Sequence, residues 1–346
     1  MSQRHETDRM RSVRIWLWTV AALVAATAII GGATRLTGSG LSITEWRPIT
    51  GVFPPLGEAA WQAEFDKYRA IPQFLLLNRD MTLAGFKFIY WWEWTHRMLG
   101  RLIGVAFIVP FSVFWVRGVI DRALAWKLGG LFALGGAQGA IGWWMVASGL
   151  GERTDVSQYR LAVHLTLACI ILSAIVAVAT ALRGMREFAP VRIRAGAWVI
   201  LLLILLQIFL GALVAKTSAG LTFNTWPLID GRFIPPFDQL FTITPLWRNF
   251  FENVMTVQFD HRMVAYLLFA AALVHSIDAQ RTGPFLAALY AAVVFALVTG
   301  QAMLGVITLL YASPLALSLA HQAGAVAALI VTTMHLARMS PQAAKA

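Results

Sequence analysis

The chain has 346 residues, of which 58% are hydrophobic and only 13% are charged, and its mean hydropathy is +0.67. This composition excludes an ordinary soluble globular domain. The net charge of +11 does not indicate a nucleic-acid partner, because the basic residues stand in short segments between long apolar stretches. An integral membrane protein in contact with lipid is the class that remains.

Eight apolar stretches reach about 20 residues, the length that a helix needs to cross a hydrocarbon core of roughly 30 Å. The stretches are continuously apolar, which favours helices over the alternating strands of a barrel. The predicted spans are 15–35, 91–116, 128–147, 158–182, 195–215, 256–277, 284–310 and 314–337. A cleaved signal peptide is the alternative for the first span, since "ALVAATA" ends in small residues. The repeat described below favours a structural span.

Basic residues mark alternate ends of these spans, and the positive-inside rule places such segments in the cytoplasm. Both termini are therefore predicted to be cytoplasmic. The basic residues concerned are Arg4, Arg9, Arg11, Arg14, Arg117, Arg122, Lys127, Arg183, Arg186, Arg192, Arg194, Arg281, Arg338 and Lys345.

Two long loops are predicted on the outer side, over about 36–90 and 216–255. In the first, Trp61, Phe65 and Tyr68 recur at i, i+4 and i+7, the spacing of an amphipathic helix lying on the outer surface. The second contains "FDQLFTITPLWRNFFENV", which is apolar enough to do likewise. Either loop would then cover a site at the outer membrane face. A solvated loop is the alternative, which the aromatic content disfavours.

The chain also repeats itself. The matched segments are "GSGLSITEWRPITGVFPP" (38–55) with "SAGLTFNTWPLIDGRFIPP" (218–236), "THRMLGRLIG" (95–104) with "DHRMVAYLLF" (260–269), and "GAQGAIG" (136–142) with "TGQAMLG" (299–305). We therefore predict an all-α integral membrane protein of eight transmembrane helices, arranged as two tandem four-helix bundles over 1–190 and 191–346. Because each unit has an even number of crossings, the pseudo-two-fold axis should run along the membrane normal.

Four of the seven histidines take repeat-matched places. His96, His164, His261 and His321 are each predicted in the first two turns of an even-numbered span, near the outer face. A lone histidine in a membrane helix is more often a packing residue, but four matched ones favour two ligand pairs. Imidazole suits iron, copper, zinc and nickel, and the cysteine or carboxylate ligands typical of zinc are missing. Two imidazoles from facing helices of a bundle suit a haem, which predicts His96 with His164 and His261 with His321.

The neighbouring residues allow two interpretations each. The small residues of "GGAQGAIG" and "TGQAMLG" admit either a flat macrocycle or a closely packed helix. Arg97 and Arg262, which follow matched histidines, are predicted either to bind haem propionates or to extend to lipid headgroups. His275 and His335 lie fourteen residues after matched histidines, a spacing that could stack a second haem, but the first repeat has Pro110 and Val178 at those depths. They are therefore predicted to be polar packing residues or inner-surface contacts. His5, in the charged N-terminal tail, is predicted to be solvated.

The two repeats differ one helical turn before a histidine, in "IYWWEWTHRMLGRLIG" (89–104). Glu93 precedes His96 by three residues, whereas Gln258 precedes His261 by three, so each side chain shares a face with its histidine. A carboxylate in an apolar site can exchange protons near neutrality. This asymmetry predicts a chemical site in the first half and a redox site in the second. The alternative is that Glu93 only bonds a polar neighbour or an arginine.

"EWTHR" with "QFDHR", the loop "TGSGLS" and the later paired histidines resemble the haem A synthase family, in its mitochondrial and alphaproteobacterial branch. The resemblance covers nearly the whole chain. That family oxidises a ring methyl group of haem O to a formyl group, and the resulting haem A goes to a haem–copper terminal oxidase. The resemblance implies a bacterial inner-membrane enzyme whose partners include a haem O synthase, oxidase assembly factors and an electron-transfer partner.

The resemblance also implies a role for each matched residue. His96 and His164 would ligate the substrate haem beside a catalytic Glu93. His261 and His321 would ligate a haem b cofactor, with Gln258 and Arg262 beside it. One branch of the family carries a cysteine pair in the outer loops, and none exists here. Cys169 is the only cysteine and falls within a span, so it is expected to behave as a small hydrophobe.

A protein of a different class would keep the same histidines. A di-haem b-type electron-transfer protein, or a haem carrier without chemistry of its own, needs all four imidazoles but does not require Glu93.

Overall fold

The computed structural model describes residues 3–184 and 186–341, without the side chains of residues 3–9 and 341. The expectation for His5 and the charges of Arg4, Arg9 and Lys345 lie outside this description. The described chain forms twelve α-helices. They are α1 (Gln3–Leu36), α2 (Glu58–Arg69), α3 (Pro72–Leu77), α4 (Leu83–Val116), α5 (Arg122–Ala147), α6 (Gln158–Ala181), α7 (Val191–Lys216), α8 (Phe237–Leu240), α9 (Asn249–Glu252), α10 (Val254–Thr282), α11 (Phe285–Leu310) and α12 (Leu315–Ala337).

Seven of the eight long helices, all but α5, are long and apolar enough to cross a membrane. The chain therefore has the character of an all-α integral membrane protein. Helix α5 has 26 residues, a length of about 39 Å at 1.5 Å per residue, but six glycines, three tryptophans and one glutamine lower its hydropathy. Its crossing, and with it the count of eight spans, stays a prediction.

Helix α4 begins eight residues before the predicted span. The hydroxyl of Thr82 caps it by accepting a hydrogen bond from the Gly85 amide at 3.3 Å. As a result His96 lies thirteen residues into its helix, and its predicted position in the first two turns is wrong. His164, His261 and His321 do lie in the first two turns of α6, α10 and α12.

The chain divides into two compact units, one of residues 22–168 and one of residues 1–21 with 169–346. The divisions fall inside α1 and α6. The predicted division of the repeat at 190 and 191 stays a prediction. In the second unit α7 contacts α10, α10 contacts α11, α11 contacts α12 and α12 contacts α7, which closes a ring of four helices. In the first unit α4 contacts both α5 and α2.

The amphipathic helix predicted in the first loop is confirmed as α2. Trp61, Phe65 and Tyr68 are its buried residues. They pack with residues of α3 and α4 in an aromatic cluster, in which the Phe65 and Phe86 rings stack with centroids 5.0 Å apart. Burial raises the pKa of Tyr68, whose hydroxyl donates to Gln73 Oε1 at 3.0 Å. Aromatic burial therefore fixes this loop on the start of α4.

The second loop does not form the comparable helix, and that expectation is wrong. Its apolar segment contains only the four-residue helices α8 and α9 with a single 3₁₀ turn between them. Pro245 interrupts the segment, since proline lacks the amide hydrogen that a continuing helix needs. Side-chain amides hold the loop instead. The Asn249 amide bonds the backbone of Ile243 at both its N–H and its carbonyl, and Asn253 caps α10.

Two short strands, β1 (Glu187–Ala189) and β2 (Met339–Pro341), pair in parallel in the second unit. No sequence pattern predicted them, since three residues are too few to show a period. The Glu187 carboxylate accepts hydrogen bonds from the amides of Leu286 and Ala287, at the start of α11. The strand pair thereby fixes the ends of α7, α11 and α12 to one another.

Candidate functional site

Each of the four matched histidines packs its ring against a glycine of another helix in its own unit. We call these glycines the imidazole seats. A Cβ atom built on the seat would approach the Cε1 atom of the ring. The distances are 2.8 Å for Gly31 with His96, 2.9 Å for Gly142 with His164, 3.3 Å for Gly211 with His261, and 2.8 Å for Gly305 with His321. At three seats a Cβ would lie closer than side chains tolerate, so only glycine leaves room for the ring.

The seats share one register. Each stands five residues before the last residue of its helix, in α1, α5, α7 and α11. One helical turn before each seat stands a polar residue. These residues are Thr27, Gln138, Gln207 and Gln301. Relative to the ends of the helices that carry the seats, all four histidines therefore lie at the same height. His96 nevertheless lies further from the start of its own helix than the other three histidines do.

The glutamines hold the backbone of the histidines they face. Gln138 Nε2 donates to the carbonyl of His164 at 2.9 Å, Gln207 Nε2 to that of His261 at 3.0 Å, and Gln301 Nε2 to that of His321 at 2.6 Å. Each bond ties two helices together at the histidine. The sequence analysis pointed to the small residues of two of these helices but did not predict the paired glutamine and glycine. The signal was available, because Gln-x-x-x-Gly occurs near the ends of α5, α7 and α11, with Thr-x-x-x-Gly in α1.

The histidines of each predicted pair lie within electrostatic range of each other, His96 of His164 and His261 of His321. The Nδ1 atoms of His96, His164 and His321 are buried without a hydrogen-bond partner in the described structure. An unsatisfied buried polar atom costs about 1–3 kcal/mol, so these three rings lack part of the hydrogen bonding that a purely structural histidine would have.

The described residues contain no group of three or more His, Cys, Asp or Glu side chains placed to hold a metal ion. A bare ion would therefore find two imidazoles and no further ligand of these types. A haem brings its own four equatorial nitrogens and needs only axial ligands from the protein. Among the metals that imidazole suits, the paired arrangement fits haem iron best.

Glu93 is buried, with 3% of its surface exposed, and its carboxylate is fully engaged. Its Oε2 atom accepts from the Ser42 hydroxyl at 2.7 Å and from the Ile43 amide at 2.8 Å. Its Oε1 atom accepts from Arg97 Nε at 3.0 Å and from an Arg97 terminal nitrogen at 2.5 Å. Arg97 also donates to the carbonyls of Ile43 and Glu45. The pair therefore anchors the start of the first loop on α4.

The second repeat makes a matching anchor without an acid. Gln258 Oε1 accepts from Arg262 at 2.7 Å, and its Nε2 donates to the carbonyls of Ala219 and Thr222. Arg262 donates to the carbonyls of Phe223 and Leu228. The contact of Arg97 with Ile43 and that of Arg262 with Phe223 fall on matched positions of the repeat. Glutamine fulfils the anchoring role, so anchoring alone does not explain an acid at position 93.

The two arginines thus contact loop carbonyls, a partner that neither sequence interpretation named. The guanidinium groups satisfy carbonyls that turns leave without amide partners. Arg262 Nε is the one atom of the two guanidiniums that is buried without a partner in the described structure. Propionate binding by either arginine stays a prediction.

His275 and His335 bond to each other, with their Nε2 atoms 2.9 Å apart, and both are buried. The His335 ring also stacks on Tyr290. This geometry agrees with the predicted packing role. Cys169 is buried and free, as the sequence led us to expect.

Comparisons with known proteins cover nearly the whole chain. Residues 14–333 match the sequence model of the COX15-CtaA family, described as "Cytochrome oxidase assembly protein". A "Heme A synthase" of Azorhizobium caulinodans is 59% identical over 326 residues, which are 94% of this chain and 93% of the relative. Proteins of the same name from Rhodopseudomonas palustris (strain HaA2) and Bradyrhizobium diazoefficiens are 52% and 53% identical. The former covers 100% of this chain and 95% of the relative, and the latter covers 96% and 93%.

Proposed function

The chain belongs to the COX15-CtaA family of cytochrome oxidase assembly proteins, and we propose that it acts as a haem A synthase of the bacterial inner membrane. It oxidises a ring methyl group of haem O to a formyl group, and the haem A formed serves terminal oxidase assembly. The observation that carries this proposal is the pair of imidazole sites, each set in the same register by a seat glycine and a polar residue one turn before it.

His96 and His164 hold the substrate haem, and His261 and His321 hold a resident haem b. The fit is supported by three buried Nδ1 atoms without partners and by the seats, three of which have no room for a residue larger than glycine beside the ring. When bound, haem b supplies one-electron transfer to or from the substrate site. The protein's own contribution is to orient the rings, because a ligand fixed on a helix by a second contact loses little freedom on binding.

Glu93 exchanges the protons that methyl oxidation releases. Its Oε2 atom can take up a proton without a movement of the backbone. The Ser42 hydroxyl, which donates to Oε2 at 2.7 Å, also lies 3.3 Å from the Ile89 carbonyl. Rotation of that hydroxyl toward Ile89 leaves the serine oxygen to accept from a protonated Glu93. Arg97 meanwhile holds Oε1, so the carboxyl group keeps its position in both protonation states.

This proton role is separable from the anchoring role by a matched pair of variants. Glu93→Gln keeps the size of the side chain but cannot exchange a proton, and a lost acid–base group typically costs about 10²–10⁴ in rate. Arg101→Ala removes the guanidinium that donates to the carbonyls of Arg47 and Pro48, which ties the same loop to α4, and leaves Glu93 and its partners in place. We expect the first variant to retain haem b and lose haem A formation, and the second to keep most of it. Equal losses in both would assign Glu93 to anchoring alone.

Both termini lie in the cytoplasm and both histidine sites lie toward the outer face, in two four-helix units with α5 as the eighth crossing. The arginine distribution supports this topology. A haem O synthase supplies the substrate, assembly factors take the product, and a separate protein exchanges electrons with the haem b.

A di-haem electron-transfer or carrier protein is the second candidate, favoured by the complete hydrogen bonding of Glu93, which a purely structural acid would also show. Co-expression with a haem O synthase in a host without haem A separates the two. Haem A or its hydroxylated precursor in the extracted pigments supports the synthase. Unchanged haem O beside a full complement of the protein would select the carrier.

A further inference from the structure

A cavity of about 290 Å³ lies at one end of the second unit, far from the matched histidines along the helices. Its walls come from α1, α6 and α12 and the residues that follow them. The residues that define its chemistry are Arg14, Trp18, Thr180, Arg183, Met334 and Arg338. A single ordered water needs only about 15 Å³, so the cavity has room for a larger polar group.

Three guanidinium groups line this cavity, and no acidic residue is among its lining residues. The ion pairs found within the described chain do not use Arg14, Arg183 or Arg338. Three like charges around one cavity repel each other unless an anion lies between them. The cavity therefore has the electrostatics of an anion site.

Two polar atoms of the lining residues add a second, independent observation. The side chain of Thr180 is buried, with only 6% of its surface exposed, and its Oγ1 atom has no hydrogen-bond partner in the described structure. Arg338 Nε is also buried without a partner. Arg338 is held in place, since its guanidinium lies 5.2 Å from the Tyr290 ring centroid and its carbonyl accepts from the Glu187 amide at 2.9 Å. The site thus offers fixed donors rather than only mobile surface charge.

We propose that this cavity binds the phosphate group of an acidic phospholipid. A phosphate accepts paired hydrogen bonds from arginine and a further one from a hydroxyl, which are the donors present. Trp18 and Met334 provide apolar wall for the glycerol and the first acyl carbons. Arg14, Arg183 and Arg338 belong to segments that the charge distribution places in the cytoplasm, where anionic lipid headgroups bind basic pockets between helices. The lipid would join the start of α1 to the ends of α6 and α12.

Binding of phosphatidylglycerol by the purified full-length protein tests the proposal, with phosphatidylcholine and inorganic phosphate as the comparison probes. Arg14→Gln with Arg183→Gln removes two of the charges, and Thr180→Val removes the hydroxyl at nearly constant volume. Arg117→Gln, an arginine outside the cavity at the end of α4, is the matched control. Circular dichroism and thermal unfolding without added lipid report whether each variant is folded.

We expect the double variant to bind phosphatidylglycerol at least about tenfold more weakly and Thr180→Val several-fold more weakly, with Arg117→Gln unchanged. Phosphatidylcholine should bind the unmodified protein weakly. An unchanged affinity in the folded double variant overturns the site. An equal loss in Arg117→Gln would overturn it as well, because the attraction would then be diffuse. Inorganic phosphate that binds alone as tightly as the lipid would overturn the assignment to a lipid.

Discussion

Substitution of a seat glycine provides the sharpest test of how this chain holds a haem. A methyl group on Gly305 would stand 2.8 Å from His321 Cε1, whereas ordinary contacts begin near 3.4 Å, so the ring must withdraw by the difference of 0.6 Å. The same change at Gly211 demands only 0.1 Å, since its Cβ would stand 3.3 Å from His261. Both glycines contact histidines of the proposed haem b site, so the amount of bound haem b measures the effect of either substitution.

Overpacking of this kind costs about 1–3 kcal/mol. Since 1.4 kcal/mol is a factor of ten, Gly305→Ala should weaken haem b binding by about 5- to 150-fold. Gly211→Ala should weaken it by less than about twofold. Alanine is a better helix former than glycine by roughly 1 kcal/mol, so neither helix should be lost. In the haem-free protein the imidazole can shift to relieve the clash, whereas a ring that binds iron cannot, so the affinity should fall by more than the thermal stability of the haem-free protein does.

The assay is the haem-to-protein ratio and the low-spin absorption spectrum of the purified variants, followed by haem titration of the stripped protein. Gly300→Ala is the control, because it lies in the same helix and a Cβ there would meet nothing within 4 Å. If Gly305→Ala binds haem b as tightly as Gly300→Ala does, the seat does not fix the imidazole and the reasoning fails.

Three further predictions concern the same architecture. His261→Ala should remove most of the haem b while His275→Ala retains it, as measured by the pyridine haemochrome spectrum, because only the first is a proposed ligand; equal retention would exclude the C-terminal site. Gln258→Glu should lower the midpoint of thermal unfolding without creating a second active site. The change replaces the Nε2 amide group, which donates to two carbonyl oxygens at 2.6 and 2.7 Å, by a carboxylate oxygen that cannot donate, at a cost of about 1–3 kcal/mol. A cysteine in place of Lys67 should react with an impermeant reagent from outside, and one in place of Arg192 only from the cytoplasm; cytoplasmic labelling at position 67 would contradict the topology.

The sequence by itself determined the class of the protein and the residue types of its site. Continuous apolar stretches can only be helices in a membrane, because the hydrocarbon core offers no other partner to backbone polar groups. The repeat then singled out His96, His164, His261 and His321 as candidate ligands without any structure, since a duplicated chain repeats its functional residues at matched places. The helical spacing of Trp61, Phe65 and Tyr68 likewise predicted α2, because a single period of 3.6 residues is visible within one segment.

Only the tertiary structure decided what those residues touch. The seats and the glutamines that face the histidines come from other helices, at least 16 residues away along the chain, and hydropathy does not record which face of one helix meets another. The start of α4 was misplaced for a related reason, since aromatic packing against α2 and a cap at Thr82 extend the helix beyond its apolar stretch. Glu93 and Arg97 are an i, i+4 pair on α4, but their bonds to Ser42 and to the Ile43 carbonyl depend on the path of the first loop back over α4. That path is fixed by hydrogen bonds between distant residues, which no local pattern encodes.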